Sequence, residues 1–419
     1  MKNYNSLAWQ VAHQCPQCGA PVVLEETDRL FSCPYCRVKL YLASQGYCRF
    51  YLSPSTSSSK DTIFLPYWRL KGMVFSCEQY EVRERILDAT FLASHQTRFP
   101  VSLGLRPQVL PLRFVSPDTE GSFITPDLSS ETAVENIEAQ IKAVFGTSQQ
   151  GNVFHKAFIG ETISLIYSPL ILQKGALNDA ILNRPVAPVP QDEIEGILSS
   201  AQHPDWQVTF VPALCPHCGW DLQGERDSLV LLCRSCDSAW EASQEKLRKL
   251  EFGVASNGED PATYLPFWRM SVECEGVTLR SYADLARLMN VPVTGKPEWE
   301  SQEICFWSPA FKINPLLFLR LAQQITLFQP KEELQKVPPP LSLYPVTLPV
   351  NEAAESIKIT LANSAVPKKK FFPRLAEITI QLRKYRLVYL PFSERGNELI
   401  HARMNLSINK NTLRFGRSL

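Results

Sequence analysis

The chain has 419 residues, 45% of them hydrophobic and 20% charged. These are ordinary values for a globular protein, with length for two or three domains. No run approaches the about 20 apolar residues of a membrane-spanning helix, which excludes that class. The N-terminal stretch MKNYNSLAWQVAHQC lacks the apolar core of a signal peptide, so a cytosolic location is expected. Thiols stay reduced there, and clustered cysteines favour metal over disulfide.

In chain order, the first feature is a pair of C-x-x-C knuckles, Cys15/Cys18 and Cys33/Cys36. The Ser-rich stretch Ser53–Asp61 follows and reads as a joint. Leu65-Pro66-Tyr67-Trp68-Arg69 then reads as a strand. Val134, Ile137, Ile141 and Val144 make a helical stripe over Ser130–Phe145. Asn183–Pro204 is interrupted by prolines and separates two halves, with DEIEGILSSA as a short helix inside it.

The second half opens with Cys215/Cys218 and Cys233/Cys236, each offset from its counterpart by 200. The same offset carries the first Trp-Arg motif onto Leu265-Pro266-Phe267-Trp268-Arg269. Chance agreement at so many positions is negligible, so the chain reads as an internal duplication. Weaker matches continue it: Ala133–Glu138 with Ala353–Lys358, and Ile166–Leu170 with Val388–Phe392. Further on, Val272–Tyr282 reads as a hairpin, Ala283–Met289 as a short helix and Ile378–Leu390 as a half-buried strand.

The fold class expected is α+β: a tandem duplication. Each copy is a four-cysteine zinc ribbon followed by a strand-rich, mixed or antiparallel sheet domain with a packed helix. The segments are a ribbon over 1–52, a domain over 61–184, a linker over 185–206, a second ribbon over 207–250 and a second domain over 263–419. Loss of one knuckle is expected to unfold its own ribbon and spare the other.

Two C-x-x-C turns separated by 14 residues bring four thiolates together through a short hairpin, the donor set of tetrahedral zinc. Two structural zinc ions are therefore expected, on Cys15, Cys18, Cys33 and Cys36 and on Cys215, Cys218, Cys233 and Cys236. The sequences Cys15-Pro16-Gln17-Cys18-Gly19 and Cys215-Pro216-His217-Cys218-Gly219 resemble the C-P-x-C-G knuckle of zinc ribbons and rubredoxins. The chain as a whole resembles uncharacterised bacterial proteins that join a ribbon to Pro-Tyr-Trp strands. The second knuckles lack the glycine that often follows. Rival readings are rubredoxin-like iron, thiol redox chemistry at Cys33-Pro34-Tyr35-Cys36, which matches a glutaredoxin active-site sequence, and catalytic zinc. Redox chemistry needs a different structural context, and catalytic zinc needs an open coordination position. Cys48, Cys77, Cys274 and Cys305 read as core, and His217 as exposed.

Trp68 and Trp268 are either core residues of their strands or part of an exposed Trp-Arg contact surface. From Val366 to the end there are 12 Lys/Arg against 3 Asp/Glu, whereas the preceding residues hold 31 against 39. Lys368, Lys369, Lys370 and Arg374, next to two phenylalanines, could meet nucleic acid or an anionic membrane surface. A solvated face is the plainer reading. No phosphate-binding, dinucleotide, metalloprotease or serine-hydrolase motif occurs. The function expected is thus a non-enzymatic protein–protein adaptor or scaffold with a protein partner. Nucleic-acid binding, or membership of a membrane-surface complex, are the alternatives.

Overall fold

The computed structural model describes residues 9–417 apart from 45, 56–61, 96–98, 105, 146–151, 174–175, 187–189, 191–194, 197–198, 200, 244–245, 257–260, 292–295, 332 and 339–342. It is a strand-rich α+β protein with several sheets. The Ser-rich joint lies mostly outside the described residues, as does most of the helix expected between the halves.

The segment carrying the first cysteine cluster, compatible with a zinc ribbon and called the first ribbon below, supplies β1 (Gln10–Gln14), β2 (Pro21–Glu25), β3 (Leu30–Ser32) and β4 (Lys39–Ala43). Then come β5 (Cys48–Leu52), β6 (Thr62–Glu78), β7 (Glu81–Leu92), β8 (Leu112–Phe114) and β9 (Ser122–Ile124). Helix α1 (Ser130–Phe145) and β10 (Val153–Gln173) complete the main elements of the first half. β6 and the second part of β10, from Thr162 to Ile171, are buried along most of their length, with apolar residues on both faces. They pair antiparallel through the centre of a sheet that runs β9-β6-β10-β5-β8-β1-β2. The first hairpin of the ribbon is therefore the edge of the same sheet that carries the Trp-Arg motif.

In the second half, β11 (Phe252–Ala255), β12 (Thr263–Glu275), β13 (Phe306–Pro309) and β14 (Thr379–Arg395) form a second sheet in the order β13-β12-β14-β11. Helices α2 (Tyr282–Leu288), α3 (Pro315–Phe328) and α4 (Val350–Ser364) accompany it. The hairpin expected over Val272–Tyr282 does not form. β12 ends at Glu275 and pairs instead with β14. Gly276 turns the chain at φ +78°, where a Cβ would lie 2.5 Å from the Glu377 carbonyl oxygen. Ser281 then caps α2.

The two Trp-Arg segments repeat each other's bonding. Trp68 lies opposite Leu165, and Trp268 opposite Leu387. Trp68 Nε1 donates to the Leu128 carbonyl at 2.7 Å, and Trp268 Nε1 to the Leu348 carbonyl at 2.8 Å. Each acceptor stands two residues before a helix, α1 or α4. The amides of Ala93 and Ala310 both reach the proline carbonyl of the motif at 3.0 Å. Those prolines thus sit mid-strand, where their missing N–H coincides with a position that only accepts.

The halves are not separate bodies. One apolar core runs from Met73, Phe75, Cys77 and Ile159 of the first half into Trp268, Phe318 and Ile357 of the second. The Glu352 carboxylate, in the first turn of α4, accepts the Gly160 and Glu161 amides at 2.5 and 2.9 Å. Those amides lie at an irregularity in the β6–β10 ladder.

Candidate metal centres

Each cluster is built from two tight turns. The amide of Gly19 donates to Cys15 O at 2.8 Å, and that of Gly219 to Cys215 O at 2.8 Å. The residue after each knuckle has positive φ: Gly19 at 72° and Gly219 at 75°, but also Arg37 at 62° and Asp237 at 48°. The missing second glycine is therefore tolerated with backbone strain, and the four sulfurs still converge.

In the first cluster Cys15 Sγ is 3.8 Å from Cys36 Sγ, and Cys18 Sγ is 3.8 Å from Cys33 Sγ. In the second the matching separations are 3.6 Å and 3.5 Å. All four sulfurs of each set lie within 4.8 Å of one another. A tetrahedron of thiolates about 2.3 Å from a central ion has edges of ~3.8 Å. A disulfide would bring two sulfurs to about 2.05 Å. The geometry is that of two four-thiolate sites, compatible with zinc ribbons, and four protein ligands leave no open position on a tetrahedral ion.

The electrostatics call for a cation. Burial resists ionisation of Cys33, yet the Cys36 and Tyr35 amides and the nearby thiols pull it down to about 6. The Val38 amide favours the Cys36 thiolate, but burial and the other three thiols push that group up to about 12. In the second cluster burial again opposes ionisation, while the Cys218 and His217 amides bring Cys215 down to about 6. Burial foremost raises its neighbour Cys233 to about 12. In each cluster one thiolate, Cys33 or Cys215, is thus favoured while a partner, Cys36 or Cys233, resists ionisation, an opposition that a bound cation would offset.

The two centres are physically joined. Thr209–Pro212, which leads into the second ribbon, pairs with β4 of the first. The amides of Arg29 and Leu30 both donate to Arg226 O, at 2.6 and 2.8 Å. Leu30 and Tyr41 pack with Ala213, Leu222, Leu231 and Trp240 in one small core that includes Cys215 and Cys233. The Arg226 guanidinium binds the buried Asp28 carboxylate. Ribbons that share a strand pair and a core are expected to fail together, which replaces the expectation of independent unfolding.

The first ribbon is also locked to its sheet through the Trp-Arg motif. Arg69 is fully buried, 3.2 Å from both carboxylate oxygens of buried Glu26, and bonded to Asp88. Its guanidinium lies 3.9 Å from the Trp9 ring centroid. Lys71, two residues on and buried, has its Nζ 3.8 Å from Glu26. This charge cluster was missed in the sequence. Its signal is two cations two residues apart in an otherwise apolar strand, on one strand face.

The remaining candidates are placed as follows. Trp68 and Trp268 are 6% and 0% exposed, so the indoles belong to the core and present no contact surface. Phe371 and Phe372 are buried, while Lys369, Lys370 and Arg374 are exposed and Lys368 is half-buried. The cations and aromatics of that run therefore face apart. Arg374 donates to Gly276 O at 2.7 Å. Arg383 pairs with Glu273, and Arg386 with Glu251 at 2.8 Å. Acidic residues distant in sequence thus offset part of the basic C-terminal charge in space. His217 is exposed, Cys48, Cys77 and Cys305 are buried, and Cys274 is half-buried. Among the described residues no helix is long and apolar enough to cross a membrane. No protein-family model, curated protein or solved structure matches this chain.

Proposed function

We propose that this chain is a duplicated zinc-ribbon protein whose two zinc ions are structural and whose role is that of an adaptor or scaffold in a reducing compartment such as the cytoplasm. The observation that carries the reading is the pair of closed four-sulfur clusters, with Sγ separations of 3.5–3.8 Å. Zinc satisfied by four thiolates contributes folding energy and leaves no position for a substrate.

Duplication is supported by the constant sequence offset and by the matching indole bonds to Leu128 and Leu348. The scaffold role rests on rigidity. The ribbons share a strand pair, the first ribbon is tied to its sheet by buried charges, and the halves share a core. Such a body presents fixed surfaces to a partner without reordering.

Crosslinking and affinity capture from the native cell test the reading. A partner retained by the zinc-loaded chain and lost after chelation supports it. Capture that is indifferent to zinc, or turnover of a captured small molecule, contradicts it.

A further inference from the structure

A cavity of about 830 Å³ lies at the seam between the two halves. Its walls come from both. Helix α1 contributes Glu131, Val134 and Glu135, and α4 contributes Ala354, Glu355 and Lys358. Asn351, Ala354, Glu355 and Lys358 fall at i, i+3, i+4 and i+7, so one complete face of α4 lines the space. The other face of that helix, with Ala353, Ile357 and Leu361, is in the core. The floor is the middle of β10, with Ile163 and Glu161, and the far wall is the start of β14, with Ile380 and Leu382. Val134 and Ala354, and likewise Glu135 and Glu355, stand at matching positions of the two helices, offset by 220.

Two properties specify an occupant. The apolar groups Val134, Phe158, Ile163, Ala354, Ile380 and Leu382 are each only partly buried, and they converge on a concavity of the size that takes a small organic molecule. The charge is unbalanced: Glu131, Glu135, Glu161 and Glu355 line the space against Lys156 and Lys358. The Lys358 ammonium is already committed to the Ile378 carbonyl at 2.9 Å. Among the described residues none of the four carboxylates forms an ion pair. Burial, then Glu355 and Glu131, raise Glu161 to about 7. His155 is neutral at pH 7, since burial and Lys358 lower it to about 4.

We propose that this cleft binds a small organic cation with an apolar body, of the alkylammonium class, with the alkyl portion against Val134, Ile163, Ala354 and Leu382 and the ammonium group between Glu161 and Glu355. A bound cation relieves the repulsion that Glu355 and Glu131 exert on Glu161, which Lys312 offsets only in small part. An anion of the same shape meets those carboxylates and is rejected.

Titration calorimetry with three matched probes tests this on the zinc-loaded full chain: octylammonium, octanoate and 1-octanol. Octylammonium should bind at one site, at least tenfold more tightly than either of the others. The Glu161→Gln/Glu355→Gln pair should weaken it at least tenfold while zinc content stays at the parent value. Affinity should rise from pH 6 to pH 8, with protons released on binding. The titratable and charged groups lining the two cavities that Glu161 borders are Glu355, Glu352 and Lys358 from α4, Glu131 and Glu135 from α1, Lys312 from the segment before α3, His155 and Lys156 on its own strand, and Arg29, Asp227 and Arg417. Of these, His155 does not change charge over that range, whereas Glu352, raised to about 8 chiefly by burial, and Lys312, lowered to about 8 chiefly by burial, lose protons alongside Glu161 and make the surroundings more negative in the same direction. Ala354→Phe, which fills the cavity from its apolar wall, should abolish binding without touching a carboxylate. Equal binding of octanoate or octanol, octylammonium binding that survives both the glutamine pair and Ala354→Phe, or no binding at all, would each overturn the proposal.

Discussion

Replacing Arg69 by Met tests whether the first ribbon is held to its sheet by the buried charge cluster. Arg69 and Glu26 are both buried, with two contacts of 3.2 Å between them. Methionine nearly fills the space but removes the charge. Glu26 would then keep only Lys71, at 3.8 Å. Removing one member of a buried pair costs about 3–5 kcal/mol, chiefly because the other charge is left without its partner. The contact to Asp88 adds little, since that side chain is 45% exposed. With a urea m-value of about 3 kcal/mol/M, the midpoint should fall by ~1 M or more. The sequence supplies its own control. Arg269 stands at the matching position, is only partly buried and forms no ion pair among the described residues. Arg269→Met should change stability by no more than about 0.5 kcal/mol. Adding Glu26→Gln to Arg69→Met should restore part of the loss. Equal midpoints for Arg69→Met and Arg269→Met in urea denaturation would refute the reasoning.

Arg37 and Asp237 hold positive φ with a side chain, so Arg37→Gly and Asp237→Gly should each raise the melting temperature of the zinc-bound protein, for a gain of order 1 kcal/mol. Cys218→Ser should speed zinc loss from the intact first cluster as well as the second under chelator challenge, because the ribbons share a strand pair and a core; an unchanged release rate from the first cluster would count against the coupling. His155 has its pKa depressed to about 4 by burial and Lys358. Its contribution to stability is therefore full above the unfolded value near 6.5 and is lost as pH falls toward 4. His155→Gln should flatten that part of the stability–pH curve relative to the parent, as measured by denaturant midpoints at matched zinc loading.

The two four-cysteine clusters were legible because C-x-x-C turns act locally: spacing alone places four sulfurs. The two Trp motifs were legible as strands, and α1 formed over the residues its stripe marked, with Val134 half-buried and Ile137 buried. What could not be read was long-range. Nothing local in Thr209–Pro212 announces that it pairs with β4. Nothing in the C-terminal charge count shows that Glu273 and Glu251 lie beside Arg383 and Arg386. The Val272–Tyr282 hairpin failed because alternation marks a strand without naming its partner, and β14 took the place of the returning strand. Arg69 and Lys71 were the one missed signal present in the sequence, since two cations on one face of an apolar strand require buried anions.

Zinc content measured together with X-ray absorption at the zinc edge bears most directly on the central claim. Two zinc ions per chain, each in a shell of four sulfurs at about 2.3 Å, is the predicted result. One metal per chain, iron in place of zinc, or nitrogen and oxygen in the first shell would contradict it.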